Sequence, residues 1–246
     1  MKMLLRNHVH GSDQVLTCTL DPSGKPRSFK KASSTPVGVQ LLLNENQGWD
    51  WYLKNTGYHQ IHKNFVQLSQ YAALETDLIE GHKVDFNRGL IKNQKPITQA
   101  LEHYIKVWKK SHSDLDHCAI HGDLSLDNIL FTSHGPVFMD WEHFQPAALP
   151  LGFDALYLIY ECAWFEFGHN APSPAAIALI QTYWRLLQDQ SGLSHHFQMQ
   201  PLARVLNLMR ERSDLWGTQM KTYPAKFPIL KWSEERVRQL DAQLTL

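Results

Sequence analysis

An α+β chain, with a small antiparallel sheet and one helix at its N-terminal end and a mainly helical remainder, is predicted by three observations. Short alternating apolar and polar stretches, punctuated by turn residues, occupy the chain up to Ile79. A polar loop framed by apolar runs follows at His121–Asn128. Beyond it, apolar residues recur at helical spacing behind recognisable helix starts.

The elements follow in order. Leu4 to Val9 alternates loosely and reads as a first strand, broken by His10-Gly11-Ser12-Asp13-Gln14. Val15 to Leu20 alternates cleanly as a second strand. Asp21-Pro22-Ser23-Gly24 is a turn, and Arg27 to Ala32 is a third strand. A helix from Gln40 to Lys54 has Leu41, Leu42, Trp49, Tyr52 and Leu53 on its apolar face. Glu45 falls on that same face, three residues after Leu42 and four before Trp49. An inward carboxylate needs a cation. Lys31 of the third strand is the natural partner, with Lys30, one residue away on the other face, as the alternate. The alternative is that Glu45 lies at the edge of the stripe and reaches solvent. Phe65–Leu68 and Ala72–Ile79 complete a five-stranded sheet.

Further on, Ile97, Leu101, Ile105 and Trp108 mark an amphipathic helix from Pro96 to Lys110. Gly152-Phe153-Asp154 opens an almost wholly apolar helix running to Phe167. Ser173-Pro174 opens another, to about Gln190, and further helical patterns run from Gln198 to Arg212 and from Ser233 to the end.

The chemistry concentrates in His121-Gly122-Asp123 and, four residues later, Asn128. The apolar run Cys118-Ala119-Ile120 precedes this loop and Ile129-Leu130-Phe131 follows it. Thr132-Ser133-His134-Gly135 is turn chemistry, and Pro136–Met139 leads to Asp140-Trp141-Glu142, so a hairpin should carry Asn128 and Asp140 towards one end. A carboxylate that meets an acceptor hydroxyl, close to amide and carboxylate oxygens able to hold magnesium, suits phosphoryl transfer from a metal-bound nucleoside triphosphate.

At these residues the chain resembles the kinase-like phosphotransferase superfamily, in its aminoglycoside phosphotransferase, choline kinase and fructosamine kinase branch. That branch carries His-Gly-Asp-x-x-x-x-Asn followed by Asp-x-Asp or Asp-x-Glu, matched here by His121, Gly122, Asp123, Asn128, Asp140 and Glu142. The resemblance implies a two-lobed protein-kinase-like fold, with a nucleotide-binding lobe over residues 1–80 and a catalytic and acceptor-binding lobe over 81–246. It implies ATP and magnesium as cofactors and a hydroxyl-bearing small molecule as acceptor. Asp123 would be the catalytic base, Asn128 and Asp140 metal ligands, and Glu142 a second-metal or positioning group. Lys31, held by Glu45, would grip the phosphates, and the loop at Gly11-Ser12 would cover them with backbone N–H groups. The stretch Leu78-Ile79-Glu80-Gly81 would be the hinge whose backbone near Glu80 receives adenine, and Asp154 would brace the catalytic loop.

The chain departs from the pattern in two places. A full Gly-x-Gly-x-x-Gly is absent, and only about forty residues separate Gly81 from His121, where larger relatives insert acceptor-binding helices. These departures leave open a non-catalytic kinase-like binding protein. His121-Gly122-Asp123 alone would also fit a metallophosphoesterase, but that chemistry needs a cluster such as Gly-Asn-His-Glu, which does not occur.

Lys plus Arg equals Asp plus Glu at 24 each, so bulk charge gives no case for nucleic acid or an anionic membrane as partner. Cys18, Cys118 and Cys162 are sparse and odd in number, the usage of a reduced, cytoplasmic protein; the apolar part of MKMLLRNHVHGSD is too short for a signal peptide. No apolar run approaches the ~20 residues of a spanning helix. The 14 histidines are scattered; His8/His10 and His195/His196 have no partner at ligand spacing and are expected to be surface residues.

Overall fold

The computed structural model describes residues 2–6, 14–111, 114–191, 193–217, 220 and 227–244. The chain divides into two compact units, Met1–Glu80 with Asp140–Phe144, and Gly81–Met139 with Gln145–Leu246.

The first unit is a five-stranded antiparallel sheet with one helix. Strands β1 (Lys2–Arg6), β2 (Val15–Leu20), β3 (Pro26–Ser33), β4 (Lys63–Leu68) and β5 (Tyr71–Asp77) lie in the order β1-β2-β3-β5-β4. The first strand begins earlier than its alternation indicates, and the rest of the expected span, beyond Arg6, falls outside the described residues. The β2–β3 turn forms because the Asp21 carboxylate accepts from the Ser23 and Lys25 amides at 2.8 and 2.9 Å, with Gly24 at φ +83°.

Helix α1 (Pro36–Thr56) starts four residues before the expected Gln40. Thr35 caps it by accepting from Gly38 N at 3.2 Å, Pro36 sits in its first turn, and Gly57 in the left-handed region ends it. Those caps lie outside the apolar stripe, so hydrophobic periodicity alone marks the helix too short.

Residues 140–144 complete this unit. Trp141 is fully buried, with its ring centroid 5.0 Å from Tyr52, and 5.9 Å from both Trp51 and Phe144. Gly48 of α1 makes the approach possible, since a Cβ there would stand 2.5 Å from the Trp141 Cβ. Asn44 Nδ2 donates to the Glu142 carbonyl at 3.1 Å and fixes the segment along the helix.

The second unit is mainly helical. Strand β6 (Cys118–Ile120) pairs antiparallel with β9 (Gln145–Leu149), and β7 (Ile129–Thr132) with β8 (Gly135–Phe138) forms the expected hairpin. Among the described residues the α-helices are α2 (Gly89–Lys92), α3 (Gln94–Ser111), α4 (Phe153–Phe167), α5 (Pro174–Ser191), α6 (Pro201–Glu211) and α7 (Glu234–Leu244). Helix α4 is buried on nearly every side, which is why its sequence is apolar throughout rather than striped. Trp108 of α3 is buried against β6 and donates its indole N–H to Ala119 O at 2.6 Å. Among the described residues no helix is long and apolar enough to cross a membrane.

Candidate active site

In the second unit, β6 ends at Ile120, and after His121 the chain turns through Gly122 at φ +83°, a conformation that favours glycine. The turn exposes backbone groups that a buried loop must satisfy. His121 N and Gly122 N donate to the two Asp154 carboxylate oxygens at 2.8 and 2.9 Å, and Gly122 O accepts from the Trp216 indole at 2.6 Å. Asp154 is 1% exposed, in the first turn of α4. Burial pushes its carboxyl up to about 7 against the two amide hydrogen bonds, which pull it down, with the nearby Asp123 charge adding to the rise.

His121 is itself fully buried. Its Nδ1 accepts from Asp123 N at 3.3 Å, and its Nε2 lies 2.9 Å from Met139 O. A carbonyl can only accept, so the ring is the neutral Nε2–H tautomer and ties the loop to the end of β8.

Asp123, 4% exposed, projects from this scaffold. Asn128 Nδ2 donates to the Asp123 carbonyl at 2.8 Å and to its Oδ2 at 3.2 Å, so the amide nitrogen is spent on Asp123 and the amide oxygen is the group Asn128 can offer to a cation. The Tyr157 hydroxyl lies 3.4 Å from Asp123 Oδ1 and 3.5 Å from Glu161 Oε1. Burial first, and then the Glu161 and Asp123 charges, hold that phenol well above its ordinary range, so it stays protonated.

In the first unit, Lys31 of β3 reaches Glu45 Oε1 and Oε2 at 2.9 and 2.8 Å and Asp140 Oδ1 at 2.6 Å. Lys31, not Lys30, is therefore the partner of Glu45. Burial pulls the Lys31 ammonium down, but the charges of Asp140, Glu45 and Glu142 outweigh it and hold it above the usual lysine range. Glu45 is pushed up to about 7, by burial first, with Lys31 opposing and Asp140 and Glu142 adding to the rise. One ammonium faces three carboxylates, which leaves negative charge for another cation to balance.

Asp140 is a non-glycine residue at φ +64°, a strained conformation of the kind concentrated at functional sites. Its side chain is 37% exposed, so it retains an open oxygen. Glu142 is 5% exposed, with Oε1 3.4 Å from His143 Nε2.

The remaining sequence candidates are less informative. Gly11 and Ser12 lie outside the described residues. Glu80, the last residue of the first unit before Asp140, is exposed, just past β5. Apart from those candidates, Trp164 of α4 packs on Trp232 with centroids 5.7 Å apart, and Glu166 accepts from Ile91 N at 3.2 Å. Tyr157 and Trp216 escaped the sequence reading. Tyr157 sits inside an unbroken apolar helix, and Trp216 is 94 residues from the glycine it serves.

No curated protein matches the chain at a significant level. The model of the phosphotransferase enzyme family (APH) matches residues 55–190, more than half of the chain, including the His121–Asn128 loop, the β7–β8 hairpin and helix α4. The chain belongs to that phosphotransferase family, within the protein kinase-like superfamily that includes aminoglycoside phosphotransferases and choline kinases.

Proposed function

We propose that this protein transfers the γ-phosphoryl group of ATP, with magnesium, to a hydroxyl group of a small molecule: an amino alcohol, a choline-like amine, a sugar or an aminoglycoside. The observation that carries this reading is the Lys31 ammonium bound at once by Glu45 and Asp140. A lysine held charged and fixed in direction suits phosphate oxygens, and its surplus of carboxylates suits a hard divalent cation.

In this reading the acceptor hydroxyl gives its proton to Asp123 as its oxygen bonds to the γ-phosphorus and the bond to the β-phosphate oxygen breaks, releasing ADP. Asn128 orients the Asp123 carboxylate through Oδ2, and Tyr157 stands at Oδ1. His121, Asp154 and Trp216 hold the loop still, so the base is positioned before substrate arrives. Lys31 carries the phosphate charge, and the backbone at Gly11-Ser12 and at Glu80 is assigned to the triphosphate and the adenine. The hard oxygens of Asn128 and Asp140 would hold magnesium, with Glu142 as a second-metal or positioning group, and the ion would supply neutralisation of the phosphate charge. Three buried free cysteines fit a reducing compartment, and the cytoplasm is assigned on that ground.

The phosphoesterase alternative gains no support. Among the described residues, the grouping of three side chains able to hold a metal ion does not include His121 or Asp123. The test is calorimetric titration of a non-hydrolysable ATP analogue with and without magnesium, on wild type and Asp140→Asn, followed by an acceptor screen with amino alcohols and sugars. Magnesium-dependent binding weakened by the substitution is expected. A folded wild type that binds no nucleotide would overturn the reading.

A further inference from the structure

The pair His195-His196 finds in the fold the partner that its sequence neighbourhood lacks. Asp116, in the loop leading into β6, faces both rings, with Oδ1 3.7 Å from His195 Nδ1 and 3.6 Å from His196 Nε2. These separations are beyond hydrogen-bond length. They are close to the ~3.3 Å between neighbouring ligand atoms in a tetrahedral zinc site whose bonds are ~2.0 Å. The three ligand atoms lie within 4.8 Å of one another.

The ligands are held before any ion arrives. Ser194 Oγ donates to Asp116 Oδ1 at 2.8 Å, an outer contact of the kind that orients a ligating carboxylate. Ser194 and Phe197, on either side of the histidines, are fully buried and root the turn His195–Phe197, while the two imidazoles stack at 4.3 Å between centroids. Leu151 links the two segments, donating its N–H to Leu115 O at 2.8 Å and accepting from Ser194 N at 3.4 Å.

We propose that Asp116, His195 and His196 form a binding site for a borderline first-row divalent cation, zinc above all, separate from the magnesium assigned to Asn128 and Asp140. Two imidazoles and one carboxylate are a donor set for zinc, cobalt or nickel rather than for magnesium or calcium. Three protein ligands leave one tetrahedral position to water. The ion would clip the loop before β6 to the turn after α5. It would thus brace the strand that delivers His121 and the Leu151 stretch ahead of Asp154, a structural rather than a chemical part in turnover.

The test is titration of zinc chloride into chelator-treated full-length protein by calorimetry, with cobalt(II) visible absorption as an independent report of the ligands. It compares wild type with Asp116→Asn and with the double variant His195→Ala/His196→Ala. The expected result is one equivalent bound by wild type, a cobalt d–d band, and a zinc-dependent rise in melting temperature. Both variants should lose at least ~10-fold in affinity, along with the band and the rise, while keeping the metal-free melting temperature and magnesium-dependent nucleotide binding. Asp116→Asn keeps the size of the side chain and an oxygen for Ser194, so it tests ligation without removing the loop's packing. Equal zinc affinity in wild type and both variants, or no binding by wild type, would overturn the proposal.

Discussion

Two groups of polar residues in this molecule are held by opposite means. Around Asp123 in the second unit, the scaffold is mostly neutral: backbone amides on Asp154, an indole on Gly122 O, and an uncharged imidazole between Asp123 N and Met139 O. Around Lys31 in the first unit, charge does the holding, one cation among Glu45, Asp140 and Glu142. A neutral scaffold fixes geometry and is complete by itself. A charged cluster with three carboxylates to one cation invites a further cation, so its stability must respond to magnesium in a way that the other does not.

The comparison can be broken or sharpened by substitution, beginning with the largest effect. Asp123→Ala removes the proposed base and leaves its scaffold in place; kcat should fall ~10²–10⁴-fold with little change in melting temperature, and steady-state kinetics with calorimetric melting decide it. Full turnover in that variant would remove Asp123 from the chemistry.

Lys31→Met acts on the charged side. It leaves buried carboxylates without their cation and should cost about 3–5 kcal/mol at neutral pH. Glu45 already lies at about 7, above its ordinary 4.5, so its contribution to stability is present in acid and is lost as pH rises through 7. Without Lys31 the carboxyl moves higher still. Denaturant melts at pH 5 and pH 8 should show a wider gap for the variant than for wild type, and equal gaps would mean that Lys31 does not neutralise Glu45.

Trp216→Phe tests the neutral side. It leaves Gly122 O without its donor and should cost ~1–3 kcal/mol, with the same loss at pH 5 and pH 8 in denaturant melts. A strongly pH-dependent loss would contradict the division drawn above.

The smallest effect is expected at His103, which meets Phe138 edge-on at 5.0 Å and is pulled down to about 4, by burial first and then by Lys106. A depressed base stabilises the fold above its unfolded value of 6.5 and loses that contribution as pH falls towards 4. His103→Gln should flatten this part of the acid limb of the pH–stability curve, and an unchanged limb would assign it to other groups.

Much of this was legible in the chain. Asp123, Asn128, Asp140 and Glu142 announce themselves because loop chemistry is written in consecutive residues with fixed gaps. The sheet shows through its alternation, and Lys31 follows from an inward glutamate needing a partner. What stayed hidden depends on contacts between distant segments. Nothing near Trp216 points to Gly122, and the apolar run around Tyr157 masks a hydroxyl facing Asp123. Asp116 is 79 residues from His195, so a spacing rule for metal ligands passes over all three. The starts of α1 and β1 were misplaced because caps and pairing, rather than hydrophobic period, set them.

The slot in α1 above Gly48 bears on how the protein is made. During synthesis, residues up to Glu80 leave the ribosome well before Trp141, the ring that fills the space beside Tyr52 and Trp51. The nascent first unit therefore waits with an aromatic socket open, and a shortened product ending at Glu80 would carry that socket permanently. The later arrival of Asp140–Phe144 closes it.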